Sequence, residues 1–350
     1  MRALEGPKSL VATATLADAT TVDVTDTTAW PSSDPTLASV NSSGMVTPLL
    51  PGSVTITAQR SGLQAMSQLT IRSAKRLVAD IAKGSVNTYD PYATGDTAPI
   101  SQIKGATNTG ISSPWGVVVR DNEIYVTDVN KNSISVWPVT ATGDVAPTRT
   151  ITNASLVTPL SIAIYNDEIY VLLLNGRVLV FPTNASGDTA PVRTIAGMAT
   201  TLSTTYGLAV YENEIYVSDY VMKQIDVFPA NGSGDIAPTR TIVGEHTNLP
   251  NPYGLKVAND EIYVQSAYGL TVFTTTSQGD TPPLRSIIGP LSTIAGVSVD
   301  VLGSVLFVTN LSPPGVRIFP RYTTGDQAPE RQITGTMNTS LAAPREIVFY

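Results

Sequence analysis

From residue 76 to the end of the chain, short runs of apolar residues alternate with turn residues in a fixed order. In one unit, residues 116–119 (GVVV) form an apolar run, residues 121–123 a turn, and residues 124–128 (IYVTD) an apolar–polar alternation. Residues 133–137 (SISVW) repeat that period of two, Pro138 ends it, and residues 147–151 (PTRTI) follow a Gly143-Asp144 turn. Alternation with period two, bounded by Gly, Pro, Asn and Asp, is the pattern of strands joined by tight turns. Each unit therefore reads as a four-stranded antiparallel meander. The phrase Gly-Asp-x-x-Pro recurs with its glycine at Gly95, Gly143, Gly187, Gly234, Gly279 and Gly325, at intervals of 44 to 48 residues. A period of that length, with four strands inside it, predicts a propeller blade. The first unit opens at Arg76 on a second-strand sequence (RLVAD), whereas residues 346–349, preceded by Pro344 as Gly116 is by Pro114, make a first strand with no unit after them. Inserting that last strand into the first unit completes six blades and removes an open sheet edge.

The order P-x-G-ϕ-x-V, then I-Y-V-x-D, then I-x-V-F, seen from Pro114 to Trp137 and from Tyr206 to Phe228, resembles NHL-repeat propellers. The resemblance covers about 275 of the 350 residues and implies architecture more than activity, because propellers of this kind serve as scaffolds, binders or enzymes. The N-terminal stretch has a different pattern. Trp30, Ser32-Ser33-Asp34-Pro35, Ala38 to Val40, Gly44, Val46-Thr47, Pro51-Gly52 and Ile56 to Ala58 stand in the order of the bacterial Ig-like group 2 family, which this stretch resembles. Domains of that family act as spacers or adhesion modules on cell surfaces and phage particles. The usual first strand is missing or reduced to the few residues before Leu10, so the chain is either trimmed from a longer protein or completed there by a neighbour's strand. The expected fold is all-β: an N-terminal Ig-like β-sandwich (residues 1–73) and a six-bladed β-propeller (residues 74–350) closed by the C-terminal strand.

Composition changes this picture little. Apolar residues make up 42% and charged residues 14%, enough to build two cores. A net charge of −7 without a Lys/Arg cluster argues against a nucleic-acid partner. The absence of cysteine removes disulfides and thiolate chemistry but is compatible with either side of a membrane. No apolar run approaches ~20 residues, and the first residues lack the apolar core of a secretory signal, so no membrane insertion is expected.

Motifs for phosphate cradles, serine elbows, zinc helices or calcium loops are absent from the sequence. The single histidine, His246, reads as a solvated loop residue. Carboxylates recur at the turn between the first two strands: Asp121 and Glu123, Asp167 and Glu168, Glu212 and Glu214, Asp260 and Glu261. An acidic ring of this kind would suit Ca²⁺, but hairpin turns prefer such residues anyway, and no cofactor is expected. Asp96, Asp144, Asp188, Asp235, Asp280 and Asp326, with Arg149, Arg193, Arg240, Arg285 and Arg331, read as a turn-and-pairing device of the scaffold. Function belongs where repeats differ, at the positions just before the first strands: Trp115, Leu160, Tyr206, Tyr253, Ala295 and Arg345. Around a channel mouth, Trp115, Tyr206, Tyr253 and Arg345 would either bind a ligand or plug the channel, with Asn130, Lys131, Tyr220 and Tyr268 widening the same face.

The expected function is that of a non-enzymatic structural or adhesive protein. It would sit on a bacterial surface or a phage virion and present the propeller to a protein or surface glycan, with self-assembly or docking on a larger particle. A soluble lectin-like propeller, and a carboxylate- or metal-dependent lyase or hydrolase, are the alternatives from other classes.

Overall fold

The computed structural model describes residues 8–71, 74–266, 268–292, 294–335 and 337–350. Apart from three single 3₁₀ turns, its regular structure is β throughout. The chain divides into two compact units, one of residues up to Ala74 with Leu302–Val305, the other of Lys75–Val301 and Leu306–Tyr350. The boundary expected at residue 73 lies outside the described residues.

In the N-terminal unit, Gly52–Arg60 and Leu63–Ile71 form a nine-residue hairpin ladder, Thr13–Thr15 pairs with Thr21–Asp23, and Met45–Pro48 lies between Lys8–Ser9 and Ala38–Val40. At the start of the described residues Lys8 and Ser9 pair with Val46 and Met45. Ala38, Val46, Val54, Ile56 and Ile71 make the small core, with Trp30 packed against it and donating its indole N–H to the Thr25 carbonyl at 3.2 Å.

The second unit is built from four-stranded antiparallel meanders that follow one another along the chain, the second extended by Gly187–Asp188, which pairs parallel with its fourth strand. The second sheet is Pro114–Arg120, Glu123–Asp128, Ser133–Pro138 and Arg149–Thr152. The third to sixth sheets repeat that order from Pro159, Thr205, Pro252 and Val299. The first is composite: Pro344–Phe349 pairs antiparallel with Arg76–Asp80, followed by Ser85–Tyr89 and Ser101–Ile103. Both faces of each sheet carry apolar residues because both are covered by neighbours. Ile134, Val136, Leu179 and Phe181 interlock between the second and third sheets, and Val178, Val180, Ile215 and Phe228 between the third and fourth. Burying one such side chain contributes about 1.5–3 kcal/mol, so these apolar layers dominate stability.

Polar repeats sit at the edges of those layers. The Gly-Asp insert runs parallel to the outer strand of the preceding sheet: Gly143 bridges to Ile103, Gly234 to Ile195, Gly279 to Ile242 and Gly95 to Ile333. The aspartate then accepts amides from the loop leaving that strand. Asp144 takes the N–H groups of Thr107, Asn108 and Thr109, and Asp96 takes those of Asn338 and Thr339. The expected Asp–Arg pairing is corrected here. The arginines instead chelate the second-strand glutamates: Arg149 with Glu123, Arg193 with Glu168, Arg240 with Glu214 and Arg285 with Glu261. Each also reaches the next sheet, where Arg149 donates to the Thr183 carbonyl at 3.0 Å and Arg193 to that of Ala230 at 3.1 Å. Sheet-to-sheet stitching, rather than a turn internal to one sheet, is what this repetition provides.

Candidate recognition face

The innermost strands carry the same irregularity in sheet after sheet. Pro114 pairs with Asp128, and regular pairing resumes only at Val117 with Val126, so Trp115 and Gly116 bulge out. The same shift displaces Leu160 and Ser161, Tyr253 and Gly254, and Arg345 and Glu346, while in the fourth sheet it falls at Tyr206. A bulge re-aims side chains away from the faces of a sheet. Here it delivers Trp115, Tyr206, Tyr253 and Arg345 to one place.

Trp115 stacks on Tyr206 with centroids 5.9 Å apart, and Tyr206 lies 5.1 Å from Tyr253 and 5.5 Å from Tyr220. Tyr220 and Tyr253 are 5.1 Å apart. Burial pushes the Tyr253 hydroxyl up to about 12, helped by its hydrogen bond with Tyr220. The Arg345 guanidinium lies 4.6 Å from the centre of the Trp115 ring, and its Nε has no hydrogen-bond partner. Of the remaining expected residues, Asn130 caps the entry to the second sheet, donating from Nδ2 to Ser113 Oγ at 2.6 Å, and Lys131 is exposed on the same turn. Tyr268 is 67% exposed and stands apart from the ring cluster. In the sixth sheet the expected Ala295 is displaced by two positions. Thr309 Oγ1 accepts Ser298 N–H just as Thr127 Oγ1 accepts Gly116 N–H, which makes Val297 the counterpart of Trp115.

Directly beneath lies a row of small residues and one large exception. A Cβ on Gly116 would come within 2.4 Å of the Leu160 carbonyl, and one on Gly254 within 2.1 Å of the Val297 carbonyl, so the innermost strands touch at these points. Glu346 of the terminal strand passes over Gly116, accepting Val117 N–H at 3.0 Å and the Ser161 hydroxyl at 2.7 Å. Burial pushes its carboxyl up to about 8, outweighing those donors and the nearby Lys256 charge. One step further along, Lys256 pairs with Asp300 at 2.9 Å, and Asp300 accepts Phe349 N–H of the same terminal strand. The repeat pattern did not single out Glu346, Lys256 or Asp300. Their signal was present as the one large residue at a position that is otherwise glycine or serine, and as the departure of other units from an apolar residue two places on.

Of the carboxylates considered for Ca²⁺, the four second-strand glutamates are otherwise engaged. Glu123, Glu168, Glu214 and Glu261 face arginines, and hydrogen bonds from Arg149 hold Glu123 below the usual carboxylate range. Among the described residues no group of three or more His, Cys, Asp or Glu is placed to hold a metal ion. His246, in a loop outside the cluster, contacts Asp280 at 2.6 Å through Nδ1.

Stacked four-stranded sheets around bulged inner strands make the second unit a β-propeller. Residues 112–137 match the NHL repeat family model. Its fold is similar to a chain of the crystal structure of a nidogen/laminin complex, with TM-score 0.58, 14% identity, and coverage of 79% of this chain and 98% of that one. It is also similar to the WD40 β-propeller domain of Doa1, with TM-score 0.52, 14% identity, and coverage of 78% and 88%. No curated protein sequence matches the chain.

Proposed function

We propose that the chain is a non-enzymatic recognition protein in which a six-bladed propeller, closed by its C-terminal strand, offers its bulged-strand face to another protein. The residues before 74 serve as an Ig-like spacer of the bacterial group 2 kind, and the protein works on a cell or phage-particle surface. The observation that carries this reading is the convergence of Trp115, Tyr206, Tyr220, Tyr253 and Arg345, drawn from four sheets, into one half-buried patch. Aromatic rings and an arginine offer large contact area at low cost in side-chain entropy, which is why they anchor protein interfaces. The fold's likeness to a chain crystallised in a nidogen/laminin complex agrees with a protein-binding role.

Electron microscopy of the protein in its native source, with a label on the propeller, tests this reading. Labelled propellers arrayed on a particle or cell surface, and lost when Tyr206→Ala and Tyr253→Ala are combined, are the expected result. Free monomers that bind no protein would remove the surface role.

A further inference from the structure

The two ends of the propeller treat their cations differently. On the outer rim, Arg149, Arg193, Arg240 and Arg285 each have a glutamate. On the face where the aromatic cluster emerges, the turns between second and third strands carry Lys83, Lys131 and Lys223, and Arg177 opens the third strand of the remaining one of four consecutive sheets. None of these four forms an ion pair among the described residues. Lys83, Lys131 and Lys223 are exposed. The strand-end carboxylates beside them, Asp80, Asp128 and Asp219, are buried and turned inward, where they accept the turn amides of Lys83, Lys131 and Met222 and the amides of the adjoining loops. They fix the turns and leave the ammonium groups outside unpaired. Acids stand on the same side as well: Glu245 is exposed in a surrounding loop, and Asp96, Asp144, Asp235, Asp280 and Asp326 accept amides of the loops that leave the fourth strands. At the centre stands Arg345, whose contact is with the Trp115 ring and whose Nε is unpartnered. In a protein of net charge −7, cations without ion pairs thus stand at the second-to-third-strand connections around the aromatic cluster, while the aspartates of this side are held by the amides of the loops leaving the fourth strands.

We propose that this face binds an acidic protein segment, with Arg345 receiving a carboxylate and Lys83, Lys131, Arg177 and Lys223 flanking it. The inference rests on the recognition reading above and specifies the partner's chemistry. Charge complementarity selects an anion, since a half-buried guanidinium that feels the Asp80 charge but forms no ion pair among the described residues has donors left for a carboxylate. Ring geometry selects a peptide over a saccharide. Trp115 is covered by Arg345 and stacked on Tyr206, and Tyr206 and Tyr253 pack on each other, so what the cluster presents is edges and hydroxyls rather than open ring faces.

The test is titration of the full chain with poly-L-glutamate, following tryptophan emission, with polygalacturonate as the saccharide polyanion. Saturable binding to polyglutamate is expected, falling about tenfold or more between about 50 mM and about 300 mM salt. It should weaken about tenfold in Lys83→Gln/Lys131→Gln/Lys223→Gln, whose substitutions lie on exposed turns and leave the fold intact. Arg345→Gln should weaken it further, with circular dichroism confirming that the propeller is folded. Polyglutamate affinity unchanged in the triple variant, or tighter binding of polygalacturonate, overturns the proposal. So does concentration-dependent growth of the protein alone that polyglutamate reverses, which would assign the face to a second copy. If a native partner docks on this face and polyglutamate fails to compete, the acidic-segment inference falls and the recognition reading stands. If that partner docks elsewhere, both fall.

Discussion

The second to fifth sheets and the seam between the sixth and first differ at equivalent places. In the four repeats a glutamate, a tyrosine and an arginine lock together: Arg149 chelates Glu123 and lies 5.3 Å from the centre of the Tyr125 ring, and Tyr125 donates to Glu123 at 2.8 Å. At the seam the corresponding residues are Val305, Phe307 and Arg331. The guanidinium over Phe307, 5.1 Å from its centre, comes from Arg76 of the first sheet, which is fully buried. Its Nε and Nη1 have no hydrogen-bond partner. Burial and the neighbouring Arg331 lower its pKa to about 9. The repeated clamp is therefore dispensable for joining two sheets. The seam relies instead on the inserted strand and on Asp300, which accepts Phe349 N–H, and it tolerates a cation that burial disfavours.

Removing the inserted strand should have the largest effect. Deletion of residues 341–350 is expected to abolish cooperative unfolding, because it opens an edge on Arg76–Asp80 and removes Glu346 and Phe349 together. A melt like that of the full chain would show that the seam holds without it.

Next in size is Glu261, which faces both Arg285 and Arg321. Burial opposes its ionisation, but hydrogen bonds from Arg285, Tyr263 and Arg321 prevail and hold it down to about 2. Its stabilisation is present above the unfolded value near 4.5 and is lost as pH falls from there toward 2. Glu261→Gln should cost about 1–2 kcal/mol at pH 7 after solvent screening, measured by urea denaturation, and much less at pH 3. Glu123→Gln, with one arginine, should cost less.

Arg76→Leu places at the seam the kind of residue found at Ile124 and Ile215. It should raise stability by about 1 kcal/mol, since a buried, incompletely bonded cation is replaced by an apolar side chain. A loss would mean that the cation–ring contact with Phe307 is worth more than its burial costs.

A smaller effect, of the opposite pH sign to Glu261, belongs to Glu346. With its carboxyl pushed up to about 8 in the fold, it favours the folded state most below about 4.5, and that contribution is lost as pH rises through 8. The melting temperature should fall between pH 6 and pH 9, and Glu346→Gln should flatten that part of the profile. Asp226, pushed up to about 6 by burial, acts in the same direction at lower pH and is the internal control. Smallest of all should be Asp144→Ala, which frees the exposed amides of Thr107 and Asn108, which water can satisfy, and the part-buried amide of Thr109.

Periodicity alone was enough for the strands and their order. Residues 124–128 and 133–137 alternate because each face of the sheet meets a different neighbour, and the glycines of the Gly-Asp phrase mark turns at positive φ, 77° at Gly143 and 81° at Gly234. The departures at Trp115, Tyr206, Tyr253 and Arg345 were legible too, since breaking a repeat is a property of sequence. Tertiary structure decided their meaning. Only the bulges bring those side chains to within 6 Å of one another, and only the register of the sixth sheet replaces Ala295 with Val297. The arginines were visible as repeats, yet their partners were not, because Glu123 and Arg149 meet across strands and Thr183 belongs to the next sheet. The role of Glu346 was hidden for the same reason: its donors, Val117 and Ser161, lie 229 and 185 residues away in the chain. Local patterns specify elements because backbone geometry imposes a short period on side chains. Which side chains then share charge, ring contact or burial depends on distances that exist only once the sheets are stacked.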